Sequence, residues 1–405
     1  MLAIKNAKIH TVANGIIERG TVIVRDGKIA AVGVDLPIPA DCEIVDATGL
    51  TLMPGIVEAH CHVASMEADD DDMMDGGESG GGWGLPAATP ELDYWYAFNP
   101  RSEGLKRAVA AGITTIMTGP GSGKIISGTN FAAKTAGDSR KQMIIKNPVG
   151  LKMAFGENPK RNYGSRHQMP STRMGSAAVL REALIRAQNY MRKQEAAARG
   201  VVGANGKPVE APPLDYKLEP IVKVLKRELK ARVHAHRADD IMTVLRIRDE
   251  FGIDITIEHA SEADHIIDEV AKRGVPCIVG PTYISRSKVE TRGKTFATPG
   301  RLERAGIKVA ITTDAGVVPI EYLRMSASLA YREGMSEAGT IRAITLSAAE
   351  ILGVEDRVGS IEVGKDADLV LLNGHPLSLL TTVQKVWVDG VKRWDREIDK
   401  EAWEK

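Results

Sequence analysis

From about Leu52 to Val354, short apolar segments of strand length alternate with helical ones, and this alternation leaves few folds open. The candidate strands are GIVEAHCHV, ITTIMTG, QMIIKN, VGLKMAF, ARVHAHR, IDITIEHA, VPCIVGP and KVAITTDA. Helical stretches such as PRSEGLKRAVAAG, EADHIIDEVAKRG and RLERAG lie between them. Repetition of this kind predicts an α/β fold with helices covering a parallel sheet, and eight strands predict closure into a (β/α)8 TIM barrel. The third strand is the ambiguous member, because GTNFAAKTAG also has strand character.

The two ends differ from this middle. Residues 2–47 give short alternating segments separated by Gly and Asp-Gly turns, the pattern of a small antiparallel sheet. VGSIEVGKDADLVLLNG and VQKVWVDGVKRW repeat that style near the other end. Each piece is small for a core of its own. The expectation is a composite β-sandwich domain built from residues 1–51 and 356–405, with the barrel over 52–355 inserted between them.

Lys+Arg and Asp+Glu both total 53, so the formal charge cancels and neither nucleic acid nor an anionic membrane is expected as the main partner. Aromatic residues at 4% also argue against a base-stacking platform. Cys42, Cys61 and Cys277 are too scattered for a disulfide framework or a thiolate zinc site. No apolar run approaches the ~20 residues that cross a bilayer, and the N-terminus has no apolar signal region. A cytoplasmic protein is the expectation.

Seven of the nine histidines fall in the middle, and five of them end predicted strands. His60 and His62 close the first strand, where period-2 geometry sends both to one face and Cys61 to the other. His234 and His236 repeat this on the fifth, His259 ends the sixth and Asp314 ends the eighth. Imidazoles and a carboxylate converging at one rim suit Zn2+, Mn2+, Fe2+ or Co2+. By contrast, the loop TGPGSGKIISG fails as a phosphate loop: Thr118 stands where glycine is required, and Ile125 follows Lys124. It reads as a glycine-rich barrel loop.

TLMPGIVEAHCHV at 51–63, with VGSIEVGKDADLVLL at 358–372, resembles the metal-dependent amidohydrolase superfamily, and within it the imidazolonepropionase-like branch. The resemblance runs over nearly the whole chain and is weakest in 66–98 and 156–213. It implies a hydrolase of a C–N bond in a small molecule, such as an N-acyl amino acid, a dipeptide or a cyclic amide. It also implies two divalent metals, Zn2+ first, with His60 and His62 on the more buried ion and His234 and His259 on the more exposed one. Asp314 completes the site, and Lys152, carbamylated by CO2, bridges both ions. Homo-oligomerisation is common in the family. Two metals about 3.5–4 Å apart would share a hydroxide, with Asp314 as general base and then acid.

Lys152 also stands out physically, because a lone ammonium flanked by Leu151 and Met153 on a buried strand is costly. His236 is the substitute for His234 as a ligand, or touches substrate or shuttles protons. Arg237 stands where single-metal deaminases of the family often carry an acid-base glutamate, which counts against that alternative of a mononuclear deaminase or cyclic-imine hydrolase. A non-catalytic assembly protein of the same fold is the remaining alternative, and such relatives usually lack ligands. The basic loop with Arg161 and His167, together with Arg237, Tyr283 and Arg286, is expected to meet a substrate carboxylate. The acidic run from Glu67 to Glu78 reads as a solvated lid, as a selector of cationic substrate, or as the surface partner of those basic residues.

Overall fold

The computed structural model describes residues 1–65, 85–286 and 288–403, so the acidic run Glu67–Glu78 lies outside the described residues. In chain order the strands are β1 (Leu2–His10), β2 (Ile16–Arg25), β3 (Lys28–Gly33), β4 (Glu43–Asp46) and β5 (Thr51–Pro54). Next come β6 (Ile56–Cys61), β7 (Ile113–Thr118), β8 (Ile126–Lys134), β9 (Ile144–Ala154), β10 (Lys230–Ala235), β11 (Ile255–His259), β12 (Cys277–Val279) and β13 (Val309–Ile311). The last three are β14 (Leu369–Leu372), β15 (Val383–Val388) and β16 (Val391–Asp395).

β6 to β13 form one sheet in sequence order. Its edges meet where Thr312 Oγ1 donates to the His60 carbonyl at 2.6 Å and His62 N–H donates to the Ala315 carbonyl at 2.8 Å, so the barrel is nearly closed. One expectation is corrected. The third strand is Ile126–Lys134, not QMIIKN, and it runs antiparallel to both β7 and β9. Residues of QMIIKN open the long strand β9 instead, so β7, β8 and β9 are a meander rather than strand–helix units. Alternation alone cannot separate a parallel strand from a hairpin strand when the connections are short.

Strands from both ends make the other sheet, in the order β16-β15-β14-β5-β1-β2-β3, with β4 also paired to β1. Hydrogen bonds join all eight strands into one continuous sheet. The pairing of β5 with β14 ties the two ends together, Pro54 opposite Leu369 and Thr51 opposite Leu372. Ile4, Ile9, Val22, Leu52, Leu369, Leu371 and Trp387 pack its core. Lys134, fully buried at the end of β8, links this sheet to the barrel. Its ammonium lies 2.9 Å from Asp366, 2.7 Å from Asp368 and 3.1 Å from Asp389. Burial pushes the Lys134 pKa down, but the three carboxylates outweigh it and the net shift is upward.

Candidate metal centre

The barrel interior is lined toward its C-terminal end by polar side chains spaced two residues apart on otherwise apolar strands. Glu58, His60 and His62 follow this rule on and just beyond β6, and Arg232, His234 and His236 follow it on and just beyond β10. Ligand-type atoms of His60, His62 and Asp314 lie within 4.8 Å of one another, and so do those of His234, His236 and His259. The rings of His60 and His259 are 4.9 Å apart, which makes the two groups neighbours. Asp314 Oδ1 is 3.2 Å from His60 Nε2 and 3.3 Å from His62 Nε2, while Oδ2 is 3.8 Å from His259 Nδ1.

Hydrogen bonds set which ring nitrogens remain available. His62 Nδ1 donates to the Gly119 carbonyl at 2.7 Å and His259 Nδ1 to the Gly280 carbonyl at 2.8 Å. A carbonyl only accepts, so in a neutral ring each Nε2 keeps its lone pair for another partner. His236 Nδ1 is 2.8 Å from Ser261 Oγ. His234 is 2% exposed, yet among the described residues neither of its ring nitrogens has a hydrogen-bond partner, the Glu290 carboxylate lying 3.9 Å from Nε2. Leaving such atoms buried and unpaired is costly, and a cation between the imidazoles would satisfy the nitrogen that carries the lone pair. The donor set therefore fits a divalent metal.

The electrostatics agree with that fit. Burial lowers the pKa of His234 and His259, and neighbouring imidazoles lower it further, so both stay neutral as ligands must. His236 is pushed down to about 3 by burial and by His259. Burial pushes the Asp314 carboxyl up, but His259, His60 and His62 outweigh it and hold it well below the usual carboxylate range. At His60 burial pulls down while the Glu258 carboxylate raises, and the net is upward. That position favours a positive charge.

Glu258 is a site residue that strand-end reasoning passes over. Its carboxylate is fully buried, with Oε2 at 2.7 Å from His60 Nδ1 and 2.8 Å from Lys152 Nζ, and Oε1 at 2.6 Å from Arg232 Nε. Burial raises its pKa, but these cations dominate and hold it well below the ordinary range. Lys152, whose apolar neighbours make a lone ammonium costly, thus meets a buried carboxylate. Its Nζ also lies 3.4 Å from His60 Nε2, at the edge of the first ligand group. Glu58, also buried, accepts from Thr313 N at 2.9 Å, Thr313 Oγ1 at 2.7 Å and His60 N at 3.1 Å, which fixes the β6 and β13 ends together.

Adjacent residues Glu258 and His259 both face the centre, which regular alternation forbids. His259 escapes it with φ 73°, and Asp314 has φ 53°. Left-handed backbone at two non-glycine positions costs roughly 1–3 kcal/mol each and is the kind of strain that functional sites hold.

A cavity of about 530 Å3 opens over these groups, lined by His62, His234, His236 and Asp314 and by residues of several strand-end loops. Arg161 lines it, as do Gly121, Ser122 and Gly123 of the glycine-rich loop. Lys288, Asn158 and Asn162, which lie in the candidate loops without being singled out there, line it too. The remaining basic candidates lie elsewhere. Arg237 pairs with Asp239 at 2.8 Å, Tyr283 and Arg286 line a neighbouring cavity, and His167 is exposed on its loop.

The fold is a nearly closed barrel with a candidate metal centre at its mouth, and comparison with known proteins gives the family. Residues 51–393 match the model of the Amidohydrolase family, and the chain belongs to that family. Its members are hydrolytic enzymes acting on C–N bonds and generally use a divalent metal. The crystal structure of an amidohydrolase from Thermotoga maritima MSB8 superimposes with a TM-score of 0.88 at 39% identity, covering 98% of this chain and 100% of that one. Imidazolonepropionase of Geobacillus sp. (strain WCH70) is 27% identical over 88% of this chain and 84% of its own length. Amidohydrolase tasK of Hapsidospora irregularis is 26% identical over 94% of this chain, which spans only 40% of that protein. Among the described residues no helix is long and apolar enough to cross a membrane.

Proposed function

We propose that this chain is a metal-dependent hydrolase that cleaves the C–N bond of an amide or cyclic amide in a small molecule, with divalent ions held at the mouth of the barrel. The observation that carries this reading is the pair of adjacent groups, His60–His62–Asp314 and His234–His236–His259, with neither nitrogen of buried His234 hydrogen-bonded among the described residues. When bound, such ions supply Lewis acidity and a water that ionises near neutral pH. Asp314, kept ionised among imidazoles and facing the cavity, takes the proton of the attacking water and returns it to the leaving nitrogen. Glu258 and the Gly119 and Gly280 carbonyls orient the imidazole rings. Lys152, at the edge of the first group, would bridge two ions as a carbamate: its neutral amine adds CO2, an N–C bond forms and one proton is released.

A second reading, a one-ion deaminase or cyclic-imine hydrolase, is favoured by the buried Glu258 carboxylate 2.8 Å from Lys152 Nζ, which competes with carbamylation for that nitrogen. Elemental analysis after expression with added Zn2+ or Mn2+ tests both, alongside a screen of N-acyl amino acids, dipeptides and cyclic amides. Two ions per chain with amide hydrolysis support the first reading, and one ion with deamination or imine hydrolysis supports the second. Trace metal alone overturns both.

A further inference from the structure

The cavity over the ligand groups is asymmetric in charge. Among the described residues, and besides imidazoles, its charged lining consists of Arg161, Lys288 and Asp314, and Asp314 is already set between His60 and His62. Arg161 projects from the helix Glu157–Gly164 that follows β9, and among the described residues its guanidinium has no hydrogen-bond or ion-pair partner. Lys288, beyond β12, donates to Asn158 Oδ1 at 2.7 Å and faces Glu290 Oε1 at 3.8 Å, beyond hydrogen-bond range. An ammonium has three N–H donors, so the Asn158 bond leaves two unspent.

The loops that carry these side chains are joined to one another. Asn158 Nδ2 donates to Ser122 Oγ at 2.7 Å and Asn162 Nδ2 to the Gly123 carbonyl at 2.7 Å, which joins the β7 and β9 ends. Glu157 and Glu290 cap each other: Glu157 N–H donates to Glu290 Oε2 at 2.6 Å and Glu290 N–H to Glu157 Oε1 at 3.0 Å. Glu290 is fully buried behind the wall, so it anchors Lys288 without presenting its own charge to the cavity.

We infer that Arg161 and Lys288 form an anion subsite beside the ligand groups, and that the substrate carries an ionised carboxylate held there while its C–N bond lies over the metal centre. This rests on the hydrolase reading and narrows it. A guanidinium fork and an ammonium lining one cavity match a carboxylate, and among the described residues the only carboxylate in the wall, Asp314, is set between His60 and His62. N-acyl amino acids and dipeptides with a free carboxylate fit, and their amides do not.

The test compares N-acetylglycine with N-acetylglycinamide by isothermal titration of the metal-loaded protein, with KM replacing Kd if either is turned over. The acid is expected to bind at least tenfold tighter than the amide. Arg161→Met and Lys288→Met should each weaken the acid about tenfold, the scale of a lost charge-assisted hydrogen bond, and leave the amide unchanged. Equal binding of the two probes, or no binding of either, overturns the inference. So does a preference that survives in both single variants and the double variant, since the carboxylate would then sit on the ions. Elemental analysis of the same samples decides the hydrolase reading separately: a metal-loaded protein without acid preference refutes the subsite alone.

Discussion

Glu258 Oε2 lies 2.8 Å from Lys152 Nζ in the barrel interior, and the same carboxylate meets His60 and Arg232. Glu258→Gln removes the one negative charge shared by these three groups and leaves Lys152 and Arg232 buried beside a neutral amide. The expected loss is about 3–5 kcal/mol, the cost of stranding buried charge. Urea unfolding of metal-free protein measures it, and a loss below about 1 kcal/mol would show that the carboxylate does not hold the interior together.

Lys152→Met separates the two functional readings. Glu258 keeps Arg232 as partner, so the stability cost should be smaller than for Glu258→Gln. A carbamate-bridged pair would lose both bound metal and hydrolysis in this variant, whereas a one-ion site would keep its metal. Native mass spectrometry of the wild type should also find one added CO2 per chain if the bridge forms.

Acidification should destabilise the metal-free protein. His234, His236 and His259 are held neutral in the fold, with His236 down at about 3, whereas in the unfolded chain they take up protons near pH 6.5. The unfolded state then binds more protons, so stability is present above about pH 6.5 and drains away as pH falls toward 3, by up to about 1.4 kcal/mol per residue for each unit. His60 has the opposite sign: its raised value gives stability at low pH that is lost as pH rises through the folded value. Three residues outweigh one. Denaturant unfolding at pH 7.5, 6.5 and 5.5 should show the decline, with a shallower slope in His236→Asn, and a flat profile would contradict it.

Gly156 has φ 91°, and a Cβ built there would fall 2.4 Å from Glu290 Oε2. Gly156→Ala should dislodge the mutual capping of Glu157 and Glu290 and add left-handed strain, for a loss of about 1–3 kcal/mol. Thermal unfolding reads the stability. If the capping is what positions Lys288, binding of N-acetylglycine should weaken in the same variant.

Much of the centre was legible because strand geometry is local. Period two on EAHCH and VHAH puts alternate side chains on one face without knowledge of the rest of the chain. Extended two residues backward, the same rule reaches Glu58 and Arg232, charges on apolar strands that had no reason to be there except the interior. Glu258 escaped because His259 beside it breaks the alternation with a positive φ, which residue type does not announce. The antiparallel β8 escaped because hairpin and crossover strands share one composition. The loops of Lys288 and Asn158 were legible as basic strand-end loops, but the roles of these two residues exist only after loops from β9 and β12 meet.

The pairing of β5 with β14 has a consequence for how the chain is made. During synthesis Pro54 emerges long before Leu369, its partner across the sheet, and buried Lys134 emerges before any of Asp366, Asp368 and Asp389. The amino-terminal strands must therefore wait on the ribosome with one edge open, and an uncovered edge invites pairing with other chains. A nascent chain halted before β14 would hold most of the barrel yet carry an unpaired edge and a lysine with no counter-ions, so its release is where misassembly should concentrate.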